Sequence, residues 1–357
     1  MKYALIGCGR ISPNHIVAAM KNGLEIVALC DTNKSNMEDK ALKFDLPNSI
    51  KFYTDYKELI SVEKPDLVAI ATESGKHASI AIDCILNNSN VIIEKPIALS
   101  IEDADKIINY AKEKNVKVCA CHQNRFNKSI KKIYEAIEKK RFGRLFYATA
   151  HVRWTRDYEY YARAKWRGTW EQDGGALMNQ CIHNIDLLRW TMGNDIDEVF
   201  AITDRLNHDY IEAEDMGIAL VKFSNGSYGI IEGTVNIYPR NLEETLYIFG
   251  EKGTIKAGGE AVNIIEEWNF SDYMDVSEEV KKECCERPLN VYGFGHSRLY
   301  ADMIDAIIKD RAPFVSAEDG KRALELVLAI YESAATGKRV KLPLQRGSTL
   351  DYKGRFN

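Results

Sequence analysis

Residues 2–12 read Lys2-Tyr3-Ala4-Leu5-Ile6-Gly7-Cys8-Gly9-Arg10-Ile11-Ser12. A short apolar run ends in two glycines one residue apart, and a helical pattern opens directly after them. An apolar run without alternation describes a strand buried on both faces, as in a parallel sheet. Gly7 permits a tight turn and Gly9 lets a ligand approach the backbone, so that a pyrophosphate can sit at the positive end of the following helix. Ser12 stands where the third small residue of G-x-G-x-x-G falls. Asp31 closes the next apolar run, placed to accept hydrogen bonds from an adenosine ribose. A carboxylate there repels the 2′-phosphate of NADP and favours NAD, although Lys34 close by keeps NADP open. The competing reading is a strand-to-helix turn with no ligand.

Working outward, apolar runs at 2–6, 25–30, 66–71, 90–93 and 116–121 alternate with helical patterns at 14–22, 35–44, 55–61, 77–87 and 101–114. This alternation predicts an α/β, doubly wound parallel sheet of the Rossmann type over residues 1–122. From residue 123 the pattern changes. A helix near 128–140 leads into strands at 145–154, 197–206, 215–224, 227–238, 243–249 and 253–257, with an apolar helix at 175–192 among them. Turn signals such as Ser224-Asn225-Gly226-Ser227 point to hairpins. Residues 123–357 are therefore expected to form an α+β domain with a largely antiparallel open sheet. Terminal helices near 296–309 and 317–336 are expected to pack back on the first domain, and acidic, polar 271–287 reads as a loop or short insertion without a chemical role.

The 357 residues carry 48 basic and 52 acidic side chains, a net charge of −4. That excludes a generic surface for nucleic acid or anionic membrane, but not a local pocket for a small anion. No apolar run approaches the roughly 20 residues that span a bilayer, and the N-terminus lacks the longer apolar core of a secretory signal. The eight cysteines show no paired C-x-x-C spacing, so free thiols in a reducing, cytoplasmic compartment and no metal centre are expected.

Three further segments bear on chemistry. Glu94-Lys95-Pro96 follows a strand, at the sheet end where ligands bind. Lys95 is either a surface lysine before a turn or a donor that stabilises a substrate alkoxide. Within the helix 175–192, Asn179, His183 and Asp186 stand at i, i+4 and i+7 on one stripe. His183 is either a proton acceptor with a pKa near neutrality or a structural histidine held by Asp186. Residues 153–170 interleave Arg153, Arg156, Arg163, Lys165 and Arg167 with aromatic rings. That mixture suits a ring-bearing anion, a subunit contact or a single-strand platform.

Together these motifs resemble the glucose–fructose oxidoreductase / inositol dehydrogenase (Gfo/Idh/MocA) family over nearly the whole chain. The likeness runs from Gly7-Cys8-Gly9-Arg10-Ile11 through Thr72…His77, Glu94-Lys95-Pro96 and Gln123-Asn124-Arg125-Phe126 to Gly174-Gly175…His183-Asn184-Ile185-Asp186. It implies NAD(P)-dependent oxidation or reduction of a sugar or cyclitol carbon, with Lys95 and His183 as the catalytic pair. It also implies cofactor contacts from Gly7, Gly9, Arg10, Ile11, Asp31, Thr72, Ser74, His77, Glu94, Lys95 and Gln123. Asn179 occupies a position where many members carry Asp; an amide relays no proton, so it is expected to orient substrate together with Arg153, Arg163, Arg167 and Asp186.

Asn179-Gln180 and Trp166-Arg167-Gly168-Thr169-Trp170 resemble the branch that oxidises the 3-hydroxyl of UDP-N-acetylglucosaminuronate for surface polysaccharide biosynthesis. A dehydrogenase for a free sugar or inositol, or a non-catalytic nicotinamide-binding regulator, are the alternatives. Strands 215–221 and 228–235 are apolar on more than one face, so a homodimer or homotetramer packed through the sheet is expected.

Overall fold

The apolar runs of the first third become strands because both of their faces are covered. Tyr3, Leu5, Val68, Ala69, Ile92 and Ile93 have no exposed surface. The computed structural model describes residues 1–259, 261–286 and 293–356. Within them lies a six-stranded, wholly parallel sheet of β1 (Lys2–Ile6), β2 (Glu25–Cys30), β3 (Lys51–Tyr53), β4 (Leu67–Ile70), β5 (Asn90–Ile93) and β6 (Val118–Ala120). Its order is 3-2-1-4-5-6, so the direction of winding reverses between β1 and β4, where ligands bind at the carboxyl ends of such strands. Helices α1 (Ser12–Lys21), α2 (Lys34–Lys43), α3 (Tyr56–Glu63), α4 (His77–Leu86) and α5 (Ile101–Lys114) make the crossovers. Strand β3 was not among the expected strands: it is a three-residue edge, too short to show a pattern.

The second sheet has eight strands in the order β13-β12-β11-β7-β10-β9-β8-β14. These are β7 (Leu145–Arg153), β8 (Ile196–Asp204), β9 (Met216–Phe223), β10 (Tyr228–Thr234), β11 (Glu243–Gly250), β12 (Gly253–Gly258), β13 (Ile264–Phe270) and β14 (Val340–Lys341). All pairs are antiparallel except β7 with β10. One face, with Ala148, Ala150 and Val152, is buried beneath α8 (Ile182–Met192). The other face is open. α6 (Lys128–Glu138) and α7 (Tyr158–Ala162) precede α8, while α9 (Ser277–Glu283), α10 (Gly295–Ile308) and α11 (Ala317–Thr336) lie between β13 and β14.

The expected loop 271–287 thus contains a helix, α9, and residue 287 lies outside the described residues. The expected continuous α-helix 175–192 is also interrupted, because Leu177–Cys181 form a π-helix ahead of α8. The chain divides into two units, Met1–His122 with His296–Lys321, and Gln123–Gly295 with Arg322–Asn357. Of the two terminal helices, α10 joins the first unit, and α11 beyond its first residues joins the second. Among the described residues, no helix is long and apolar enough to cross a membrane.

Candidate active site

In the first unit the glycine turn is built to admit a ligand. Gly7 sits at φ +94°, and a Cβ there would lie 2.5 Å from the Ala71 carbonyl, so the approach of β1 to the end of β4 requires glycine. A Cβ on Gly9 would meet nothing within 4 Å, which leaves open space over the turn. Ile11 begins α1 without a side-chain cap, and the first turn holds no acidic residue. The positive helix end is thus left for an anion. Asp31 accepts from the Cys8 amide at 2.8 Å, the Asn33 amide at 2.8 Å and Asn36 Nδ2 at 3.1 Å, fixing a carboxylate beside the turn. Arg10 is exposed next to Gly9. An open glycine cradle, an uncapped helix and a fixed carboxylate fit a dinucleotide with an unphosphorylated ribose.

Thr72, Ser74 and His77 follow β4. Thr72 is half-buried and Ser74 is buried. His77 is buried between two carbonyls, with Nδ1 at 2.7 Å from Pro96 O and Nε2 at 3.2 Å from Thr72 O. Burial pushes its pKa down, against both carbonyls. This imidazole pins the loop after β4 to the loop after β5, so it shapes the cofactor edge through the backbone. Lys95 is half-buried at the end of β5. Glu94 is turned inward, with its carboxylate accepting from His15 Nε2 at 3.0 Å and from the Lys95 amide at 3.2 Å.

In the second unit Gln123 lies beside His183. Its Nε2 is 3.4 Å from His183 Nε2. An imidazole whose Nε2 accepts from that amide N–H carries its lone pair there and is the form that takes up a proton. The expected stripe of Asn179, His183 and Asp186 does not survive the π-helix, whose wider turn rotates its residues away from α-helical spacing. Asn179 instead donates to Asp173 Oδ1. Asp186 accepts from Arg125 Nε and Nη2, both at 2.7 Å, and from Arg189 at 2.9 Å. Its side chain has no exposed surface, and this carboxylate, expected to orient substrate, is held between the two guanidiniums and anchors α8.

A carboxyl also shapes the π-helix. Glu214 Oε1 accepts from the Leu177 amide at 2.8 Å and from Tyr331 OH at 2.9 Å. A Cβ on Gly175 would lie 1.7 Å from Glu214 Oε2. Burial raises the Glu214 pKa to about 8, with the bonds from Leu177 and Tyr331 opposing it.

The cations of 153–170 separate. Arg153 lies on the open face of the sheet, paired with Glu232 and Glu243. Arg163 is largely exposed, 3.2 Å from Glu159. Arg167 sits 4.2 Å over the Tyr160 ring, and Arg156 lies 5.0 Å from the same ring. Tyr160 OH accepts from Gln180 Nε2 at 3.1 Å, which ties this pair of guanidiniums to the π-helix that leads into α8. Arg156 was among the cations named in this segment, but substrate contact was expected of Arg153, Arg163 and Arg167, and Tyr160 was not singled out. The aromatic–basic alternation was the signal, but the choice of which cation stacks on which ring depends on α7.

A family model described as an oxidoreductase family, NAD-binding Rossmann fold, matches residues 1–122. Its counterpart, the C-terminal alpha/beta domain of that family, matches residues 134–342. The chain is 38% identical to the WlbA dehydrogenase from Bordetella pertussis, solved in complex with NADH and UDP-GlcNAcA. That match covers 97% of this chain and 98% of the other, with a TM-score of 0.89. The WlbA enzyme from Chromobacterium violaceum, solved with the same two ligands, is 35% identical over 97% of this chain and 96% of its own, with a TM-score of 0.88. Myo-inositol 2-dehydrogenase from Thermotoga maritima is 26% identical over 353 residues, 96% of this chain and 98% of that protein.

Proposed function

The chain belongs to the Gfo/Idh/MocA oxidoreductase family, and from that premise we propose that it oxidises the C3 hydroxyl of a nucleotide-linked sugar, UDP-N-acetylglucosaminuronate, for surface polysaccharide biosynthesis. What carries this reading is the 38% identity, across 97% of the chain, to a dehydrogenase whose complex holds that nucleotide sugar. NAD, bound by the Gly7–Gly9 turn, α1 and Asp31, supplies the hydride acceptor. Lys95 donates to the reacting oxygen and stabilises its negative charge while the C3–H bond breaks. His183 takes the hydroxyl proton at Nε2. The products are a 3-keto sugar, NADH and the proton held on His183.

The substrate brings a diphosphate and a carboxylate, and Arg156 and Arg167 around Tyr160 supply matching cations. Asn179 orients the sugar as a hydrogen-bonding amide. A free sugar or inositol carries no phosphate and has no use for this cationic pair. The test is to incubate the enzyme with NAD and UDP-N-acetylglucosaminuronate, follow NADH by its ultraviolet absorbance and locate the new carbonyl by carbon NMR. A ketone at C3 is expected; no NADH, or a ketone at another carbon, defeats the proposal.

The proposal extends to assembly. On the open face of the second sheet, Phe200 pairs with Leu220 and Ile202 with Ile218, and Tyr228 pairs with Tyr147. All six are exposed in the single chain. An apolar sheet face of this kind is covered by a second copy in a homodimer or homotetramer.

A further inference from the structure

Three segments of the first unit send polar side chains to one buried carboxylate. Glu94 Oε1 lies 3.0 Å from His15 Nε2 on α1 and 3.4 Å from His296 Nε2 on α10. Cys121, just past β6, brings its sulfur into the same group, and the ligand atoms of all four side chains lie within 4.8 Å of one another. His15 Nδ1 is 2.8 Å from Tyr300 OH, which is 2.9 Å from Tyr3 OH on β1. The directions are mutually consistent. A carboxylate accepts from Nε2–H of His15, Nδ1 then accepts from Tyr300, and Tyr300 accepts from Tyr3. Burial pushes Glu94 up, but the hydrogen bonds from His15 and His296 outweigh it and hold its carboxyl well below the usual range. Burial pushes His296 down, keeping that imidazole neutral. Glu94 is therefore an anion held by the hydrogen-bond donors around it.

The four side chains are also a donor set that zinc takes. Two ligands of one tetrahedral zinc stand about 3.3 Å apart, given metal–nitrogen and metal–oxygen distances near 2.0 Å. The 3.0 Å between His15 and Glu94 is instead the length of an ordinary N–H···O hydrogen bond.

Resting on the dehydrogenase reading above, we propose that Glu94 is a positioning residue for the reaction: its carboxylate, fixed by His15, His296 and Cys121, holds the Lys95 main chain at the end of β5 and keeps the Lys95 side chain cationic. The second oxygen, Oε2, accepts from the Lys95 amide at 3.2 Å, so the orientation of the carboxylate and that of Lys95 are coupled. A buried anion next to a lysine favours its charged form, the form that donates to a developing oxyanion.

The test is Glu94→Gln, with His15→Gln and His15→Leu as a second pair. Glu94→Gln is expected to lower kcat about 100-fold or more with KM for NAD and sugar within about threefold. The high-pH limb of kcat should move about one unit toward acid, because removing the carboxylate makes the Lys95 ammonium easier to deprotonate. His15→Gln, which keeps a donor toward Glu94, should retain more activity than His15→Leu. Carbon NMR titration of Lys95, which needs no substrate, separates this proposal from the choice of sugar. Its midpoint should fall in Glu94→Gln even if UDP-N-acetylglucosaminuronate is not turned over. An unmoved midpoint and pH limb in a Glu94→Gln protein that folds and binds NAD overturns the proposal. So does stoichiometric zinc in the wild-type enzyme that is lost in Cys121→Ser.

Discussion

At His183 the imidazole faces a Gln123 amide across 3.4 Å, and the account gives this nitrogen the proton of the substrate hydroxyl. His183→Ala and Lys95→Ala are each expected to lower kcat about 10²- to 10⁴-fold, while NAD affinity, read by fluorescence titration, stays near wild type. Near-normal turnover in either variant removes that residue from the mechanism. Asp186 belongs to a different class. Its carboxylate is shared by Arg125 and Arg189 with no exposed surface. The Arg125 guanidinium also lies 4.7 Å from the Trp190 ring. Asp186→Asn leaves two buried guanidiniums short of a counter-charge and should destabilise the fold by about 3–5 kcal/mol. Urea unfolding measures this, and an unchanged midpoint contradicts the anchoring role. Lys95 and His183 could be singled out from the sequence because motif and chain order carry them. The Asp186 role could not be, because its partner Arg125 is 61 positions away.

The π-helix Leu177–Cys181 shows why helical periodicity misled at the site. Local residues there are compatible with an α-helix, and the bias comes from Glu214, 37 positions on, whose carboxyl caps Leu177 and fills the space beside Gly175. With Glu214 raised to about 8 by burial, the folded protein keeps a proton that the unfolded chain, with its ordinary carboxyl, releases. Between the ordinary carboxyl range and pH 8 the native state thus binds one proton more. Stability falls as pH rises, by about 1.4 kcal/mol per unit from this group. Asp173, Tyr331 and Arg355 share its surroundings. Unfolding of Glu214→Gln should show a shallower loss between pH 5 and 8 than wild type; parallel curves contradict the buried-acid assignment. Short elements failed in the sequence for a simpler reason. Three residues of β3 and two of β14 are strands because neighbours pair with them.

For the whole molecule, the doubly wound first sheet and largely antiparallel second sheet were both legible, since burial on two faces or on one leaves different hydrophobic patterns. Long-range gatherings were not. His15, Glu94, Cys121 and His296 meet only after the chain folds, and Arg156 joins Arg167 only across Tyr160. The near-balanced charge of −4 is compatible with that local cationic pair. Leu220→Glu on the open face is expected to dissociate the proposed oligomer in light scattering without loss of secondary structure; an unchanged mass assigns the interface elsewhere. The central claim concerns substrate choice. Its most direct measurement is kcat/KM for UDP-N-acetylglucosaminuronate against myo-inositol and free N-acetylglucosaminuronate, all with NAD. A preference of about 10³ or more for the nucleotide sugar is predicted, from the diphosphate contacts it alone makes. Equal or better turnover of the free sugar or inositol would contradict it.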